Sequence, residues 1–276
     1  MDIRTALLQG QKLFEDEGVA APRLTAEVLL SHAIGCDRSW LFAHSDEELR
    51  ELWWIHYGRY LHQRLKGVPT QYITGRQEFY GRDFRVTPDV LIPRPETEHS
   101  VEAALQCRSE WSDAIDIGTG SGAIAVTLAL ETGRHIVATD ISQAALSVAT
   151  ANSTRLGAHV DFLTCDLGSA LRSASFDLVI SNPPYVPARD SSTIQREVRE
   201  HEPPVALYGG DDGLDIYRRL IPDAARLLRP GGWLIMELGF AMVEPVRALL
   251  EGWTDVEIRS DLAGLPRVAM ARTLRC

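Results

Sequence analysis

The 276-residue chain carries a formal charge of −10, with 28 Lys and Arg against 38 Asp and Glu. That balance weighs against a protein that coats duplex DNA, because phosphate binding needs a basic surface. A hydrophobic fraction of 45% is ample for the cores of one or two domains, but no stretch reaches the roughly 18 apolar residues of a membrane span. Met1-Asp2-Ile3-Arg4 opens no signal-like apolar region. The four cysteines, Cys36, Cys107, Cys165 and Cys276, form no CxxC, so reduced thiols and a cytoplasmic location are expected. With no HExxH and no close His/Cys/Asp cluster, no metal is expected.

Residues 1–74 read as helical. Ile3, Leu7, Leu8, Leu13 and Phe14 fit one amphipathic helix. Pro22 starts a second, with Leu24, Val28 and Leu29, ending at Gly35. Asp37 caps a short third around Trp40. Ser45-Asp46-Glu47-Glu48 has the pattern of a capping box, and Leu49, Leu52, Trp53, His56, Tyr60 and Leu61 mark one face of a longer helix. Residues 75–93 read as a connector, with a hairpin around Gly81 followed by the stiff Leu91-Ile92-Pro93-Arg94-Pro95-Glu96-Thr97-Glu98.

From residue 94 to 276, strands and helices alternate. Strands are expected at 114–117, 135–139, 160–163, 176–181 and 233–238, with helices at 122–132, 142–156, 213–228 and 242–250. Such alternation implies a parallel, doubly wound α/β sheet. Two final strands, 256–259 and 267–271, imply an antiparallel hairpin at one edge.

Ligands bind such sheets at the carboxyl ends of the strands, and four of those ends carry chemistry. Asp116-Ile117-Gly118-Thr119-Gly120-Ser121-Gly122 follows the first strand. Its glycines permit a tight turn and close approach of a ligand to the backbone. Asp140 ends the second strand, where an acid can accept hydrogen bonds from ribose hydroxyls; alone, it could equally cap the next helix. Asp166 ends the third, within reach of an adenine amino group. Asn182-Pro183-Pro184-Tyr185 ends the fourth. The prolines have no N–H and fixed φ, so the strand stops there and Asn182 is held extended. An amide side chain, carbonyls without competing donors and an aromatic face suit a planar NH2 group. Gly118-x-Gly120-x-x-Ala123 also satisfies the looser dinucleotide fingerprint, which keeps an NAD enzyme open, although no hydride-transfer site accompanies it.

Together the glycine loop, the two acids and Asn-Pro-Pro-Tyr resemble the class I S-adenosylmethionine-dependent methyltransferases. Pro69-Thr70-Gln71-Tyr72-Ile73-Thr74-Gly75, Phe79-Tyr80-Gly81, 91–98, Glu197-Val198-Arg199, Glu202-Pro203 and Gly213-Leu214-Asp215-Ile216-Tyr217 resemble one branch, the release-factor glutamine methyltransferases. The resemblance runs nearly the whole length. It implies a Rossmann-like methyltransferase domain over 94–276, a hairpin linker over 75–93 and a small all-α substrate-docking domain over 1–74.

It also implies S-adenosylmethionine as cofactor and S-adenosylhomocysteine as product, bound by Ile117, Gly118, Thr119, Gly120, Ser121, Asp140, Asp166, Leu167 and Asn182. The implied acceptor is the glutamine of a Gly-Gly-Gln loop in a peptide-chain release factor, bound by Asn182, Pro183, Pro184 and Tyr185. The Asn182 oxygen and the Pro183 carbonyl would accept the two amide N–H bonds, with Tyr185 beside the side chain. Leu167 stands where many members have tryptophan, so an aliphatic contact would replace stacking on adenine. Arg94 and Glu96 are candidates for the mouth, or for a linker salt bridge, and the polar 186–212 stretch for enclosing substrate. A cytoplasmic monomer that binds neither duplex DNA nor membrane is expected. A ribosomal-protein glutamine, a nucleic-acid adenine N6 and a catalytically idle cofactor-binding module are the alternatives.

Overall fold

Helix follows helix at the start of the computed structural model, which describes residues 1–274; Cys276 lies outside them. Helix α1 (Ile3–Asp16) is capped by Asp2, whose carboxylate accepts the Thr5 N–H at 2.7 Å. Its buried face is Ile3, Ala6, Gly10 and Phe14. Leu8 and Leu13 are exposed instead, because a stripe rising by three or four residues from Ile3 passes them by. Gly10 is required where it stands, since a Cβ would collide with the Tyr57 hydroxyl.

Helix α2 (Pro22–Ile34) has Pro22 in its first turn and Gly35 at its end with φ of 82°. Asp37 caps α3 (Arg38–Ala43). The 45–48 stretch is no capping box. Glu48 bridges to Asp2, and the Ser45 carbonyl accepts the Arg4 N–H, which ties this stretch to the start of α1. Helix α4 (Glu51–Leu65) therefore begins later and buries Tyr57, Leu61 and Arg64, leaving Leu52 exposed. Helix α5 (Thr70–Thr74) follows. One compact unit comprises Met1–Arg76 together with Gln195–His201. Within it Arg64 and Glu197 form an ion pair at 2.5 Å.

The second unit holds Gln77–Ile194 and the chain from Glu202 onward. Strands β1 (Arg76–Phe79) and β2 (Arg82–Arg85) turn at Tyr80 and Gly81, with φ of 52° and 69°. Two successive positive φ values match the twist of a tight hairpin. The hairpin is more than a connector: Phe79 and Phe84 are fully buried, edge to face at 6.0 Å. The Asn152 amide bonds both the N–H and the carbonyl of Arg85.

Next come α6 (Glu98–Gln106), β3 (Ala114–Ile117), α7 (Ala123–Thr132), β4 (Ile136–Asp140), α8 (Gln143–Leu156), β5 (Val160–Thr164) and β6 (Phe176–Ser181). Then follow α9 (Arg196–His201), α10 (Asp215–Leu227), β7 (Leu228–Glu237), α11 (Val243–Leu249), β8 (Thr254–Ser260) and β9 (Pro266–Arg272). Strand β7 starts five residues earlier than the pattern predicts. Arg229-Pro230-Gly231-Gly232 is absorbed by a register shift against β6 rather than forming a separate turn.

The sheet order is β5-β4-β3-β6-β7-β9-β8. Neighbours from β5 to β7 are parallel, and β9 is antiparallel to both β7 and β8. This is the doubly wound sheet with an antiparallel edge hairpin. Side chains alternate between its faces with the period of two that strands impose. Leu178, Ile180, Trp233 and Ile235 pack with α6, α7 and the hairpin phenylalanines. Val179, Leu234 and Met236 pack with Tyr217, Leu220 and Ile221 of α10 and Val246 of α11.

Candidate active site

Strand register brings the reactive residues to one edge. Ile117 pairs with Thr139 on one side and Ser181 on the other, Asp140 pairs with Thr164, and Ser181 pairs with Met236. The residues at or just past the ends of these strands, Gly118, Asp140, Cys165-Asp166-Leu167, Asn182 and Glu237, therefore share one end of the sheet. The chain order reverses between β3 and β6, which opens a crevice there. A cavity of about 240 Å³ fills it. Of the sequence-predicted residues, Ile117, Gly118, Thr119, Gly120, Ser121, Asp140, Asp166, Leu167, Asn182 and Pro184 line it. Pro183 is buried, and neither it nor Tyr185 is in the lining.

The glycine loop is held from behind. Gly118 and Gly120 have φ of 75° and 56°, and a Cβ at either would meet only open space. Both Gly118 and Thr119 donate backbone N–H bonds to the Thr139 carbonyl at 2.9 Å. Asp116 is fully buried. One of its carboxylate oxygens accepts the Thr119 hydroxyl at 2.6 Å and the Ala125 N–H at 3.2 Å; the other has no hydrogen-bond partner among the described residues. Burial pushes this carboxyl up to about 7, against the lowering effect of those two bonds.

Asp140 is not the cap of α8; Ser142 is, accepting the Ala145 N–H at 3.1 Å. Each Asp140 oxygen takes one backbone N–H, from Gly120 at 2.9 Å and Ser142 at 2.8 Å. A carboxylate has about four lone-pair sites, so capacity remains toward the cavity. Asp166 pairs with Arg219 of α10 at 2.5 Å through one oxygen. Leu167 adopts φ of 51°, an unusual value for a non-glycine, and packs against the α10 side of the core.

The Asn-Pro-Pro-Tyr turn sits on a buried network that pattern reading missed. Asn182 Nδ2 donates to Thr97 Oγ1 at 3.1 Å, and the Thr97 hydroxyl donates to Glu237 Oε2 at 2.6 Å. The Tyr185 hydroxyl donates to Glu237 Oε1 at 3.3 Å, and the Tyr217 hydroxyl to the Glu237 carbonyl at 2.7 Å. Glu237 is 2% exposed. Burial pushes its carboxyl up to about 7, against the bonds from Thr97 and Tyr185, and pushes the Tyr185 phenol above its ordinary range. Glu237 ends a parallel strand, so the rule that selects Asp140 and Asp166 would have selected it too.

Arg94 forms a salt bridge after all, with the buried Glu202 at 2.6 Å, and Glu202 also accepts the Ile92 N–H at 3.3 Å. The pair fastens the Ile92-Pro93-Arg94 segment to Pro203, Val205 and Ala206, all of which except Ile92 and Arg94 line the cavity. Glu96 lies 3.9 Å from Arg267. The 186–212 stretch is ordered by short helical turns and by a bridge between Val186 and Tyr208. Among the described residues no helix is long and apolar enough to cross a membrane. A glycine cradle, an acid beside it and an asparagine side chain in the lining are groups that can hold a nucleoside and an acceptor NH2.

Comparisons with known proteins place the chain among methyltransferases. A family described as "PrmC N-terminal domain" matches residues 5–75, and one described as "Methyltransferase small domain" matches residues 103–201. A release factor glutamine methyltransferase of Koribacter versatilis is 45% identical over 99% of each chain. One from Geobacter sulfurreducens is 42% identical over 98% of this chain and 96% of its own. Among solved structures, a methyltransferase from Pyrococcus furiosus matches with a TM-score of 0.52 at 17% identity, covering 71% of this chain and 90% of that one. A T. thermophilus 16S rRNA methyltransferase solved with AdoMet and guanosine matches at 0.54 and 21% identity, covering 72% and 49%.

Proposed function

The chain belongs to the release factor glutamine methyltransferases, and from that premise we propose how its own residues perform the reaction. It is an S-adenosylmethionine-dependent protein-(glutamine-N5) methyltransferase with the class I methyltransferase fold. It methylates the side-chain amide of the glutamine in the Gly-Gly-Gln loop of peptide-chain release factors. The observation that carries the assignment of roles is Asn182 in the lining of the cavity that the glycine loop shapes, its Nδ2 engaged by Thr97 and no hydrogen bond from the described residues on its Oδ1.

The residues present fit S-adenosylmethionine. Gly118 and Gly120 leave open space where side chains would intrude, so backbone can approach the methionine part. Asp140 keeps lone pairs for the ribose hydroxyls, and the second oxygen of Asp166 is available for the adenine amino group beside Leu167. Ile117, Thr119 and Ser121 complete the wall. When bound, the cofactor supplies a sulfonium methyl, a strong electrophile.

An amide nitrogen is a poor nucleophile because its lone pair is delocalised into the carbonyl. Asn182 Oδ1 and the Pro183 carbonyl would accept its two N–H bonds, which fixes the orientation of the amide nitrogen and its lone pair. Charge developing on nitrogen strengthens both bonds, so they bind the transition state better than the ground state. Tyr185, pinned to Glu237, lies outside the cavity lining and would pack beside the acceptor side chain where it enters, while Pro184 lines the cavity edge. The proton leaves after transfer, so no strong general base is required.

The helical unit docks the release factor through exposed apolar side chains, among them Leu8, Leu13, Leu52 and Ile55. The protein acts as a cytoplasmic monomer without membrane or duplex DNA. Mass spectrometry of a purified release factor incubated with enzyme and cofactor tests the reaction. One methyl on the Gly-Gly-Gln glutamine is expected; methyl found only on a ribosomal protein or on DNA overturns it.

A further inference from the structure

We propose that Glu237, acting through the Thr97 hydroxyl, is a positioning residue that holds the Asn182 amide with its oxygen, not its nitrogen, toward the acceptor. The proposal rests on the role just given to Asn182. An asparagine amide has two nearly isosteric ends, and nothing in the side chain itself selects one. Only the oxygen can accept the acceptor's N–H bonds; a flipped amide would present donors to donors.

The selection follows from counting protons along the network. An ionised carboxylate only accepts hydrogen bonds, and a threonine hydroxyl has one proton and two lone pairs. At 2.6 Å the Thr97 proton is committed to Glu237 Oε2. Thr97 Oγ1 can then only accept, so the Asn182 group 3.1 Å away must be the NH2. The second Glu237 oxygen is occupied by the Tyr185 hydroxyl at 3.3 Å, which also directs its proton toward the carboxylate. No hydrogen bond from the described residues engages Asn182 Oδ1, which leaves it free for the acceptor. Thr97 and Glu237 come from segments 140 residues apart, so their meeting beneath Asn182 is built by the tertiary fold.

A purely structural part would not need this carboxylate. Burying a carboxyl with two hydroxyls and no cation in hydrogen-bonding contact is unfavourable, and an apolar side chain of similar size would hold the strand end better. The charged and titratable groups that face it are Glu96, Arg267, Tyr185 and Tyr217. Protonating Glu237 releases the constraint, because a carboxylic acid can donate to Thr97 and free the hydroxyl proton to point at Asn182. Both amide orientations then become available, and turnover falls.

Two measurements test this together. The first is kcat on a release factor, at saturating cofactor, for wild type, Thr97→Ser, Thr97→Val and Glu237→Gln between about pH 5.5 and 8.5. Thr97→Val should lose roughly tenfold or more in kcat, with cofactor affinity by calorimetry within about twofold of wild type, while Thr97→Ser restores most of it. Wild-type kcat should fall on the acid side through one ionisation that is absent from Glu237→Gln. The second is the side-chain amide NMR signal of Asn182, identified by its loss in Asn182→Ala. It should titrate with pH in wild type and stay fixed in Glu237→Gln, whether or not substrate is turned over. Wild-type kcat in Thr97→Val, or an Asn182 signal indifferent to both substitutions, overturns the proposal. A wild-type enzyme that does not methylate release factors overturns the assigned acceptor instead, and the NMR titration still decides the Asn182 orientation.

Discussion

Replacing Asp116 with asparagine should change the slope of stability against pH. Asp116 is 0% exposed and has one carboxylate oxygen without a hydrogen-bond partner among the described residues. Its carboxyl is raised from 3.8 to about 7, chiefly by burial. A carboxyl whose folded pKa lies above its unfolded value binds more protons when folded. Its contribution is therefore fully present below about pH 4 and is lost as pH rises through about 7. At about 1.4 kcal/mol per unit, the full shift corresponds to on the order of 4 kcal/mol. Asparagine cannot ionise, and its oxygen can still accept from Thr119 and Ala125. Its NH2 takes the place of the unpartnered oxygen, a cost of about 1–3 kcal/mol that does not vary with pH. Urea unfolding of the apo protein at several pH values from about 4.5 to 8 separates the two effects. The difference Asp116→Asn minus wild type should climb by a few kcal/mol across that range and level off above it. Parallel curves would refute the reasoning, because they would mean that Asp116 ionises as easily folded as unfolded.

Asp140→Ala should weaken S-adenosylmethionine binding about tenfold to hundredfold, the worth of hydrogen bonds to a charged acceptor; unchanged affinity by calorimetry in a folded variant would remove Asp140 from the site. Asn182→Ala should lower turnover roughly a hundredfold or more while cofactor affinity holds, and wild-type turnover would end its proposed role. Gly209→Ala places a Cβ 2.6 Å from the carbonyl oxygens of Pro184 and Gly213, so backbone must move; a lower melting temperature and reduced turnover are expected, and wild-type values for both would contradict the close approach. Leu8→Glu with Leu13→Glu should reduce kcat/KM on an intact release factor but hardly change it on a short Gly-Gly-Gln peptide, and equal losses on both would remove docking from the helical unit.

The sequence by itself determined the parallel sheet and the residues at its strand ends. Runs such as Ile115-Asp116-Ile117 and Leu178-Val179-Ile180 bury both faces, and glycine, proline and acids stop them at positions that local backbone chemistry dictates. Register then needs no further information to put Gly118, Asp140, Asp166 and Asn182 on one edge, because parallel strands of similar length end together. Helix faces in the first unit were less legible. Leu8, Leu13 and Leu52 are apolar but exposed, since the choice of buried stripe depends on which neighbour a helix meets, and Gly10 against Tyr57 makes that choice for α1 and α4.

The tertiary structure alone decided what stands behind the site. Thr97, Glu202 and Glu237 belong to no local motif, and each acquires its partner only when distant segments pack together. Likewise Asp166 reads as a free acid in sequence but meets Arg219, and Gln195–His201 belongs to the helical unit although the chain around it builds the sheet domain. Hydrogen bonds across long sequence separations leave no periodicity to read: their donors and acceptors are chosen by where the folded backbone brings them.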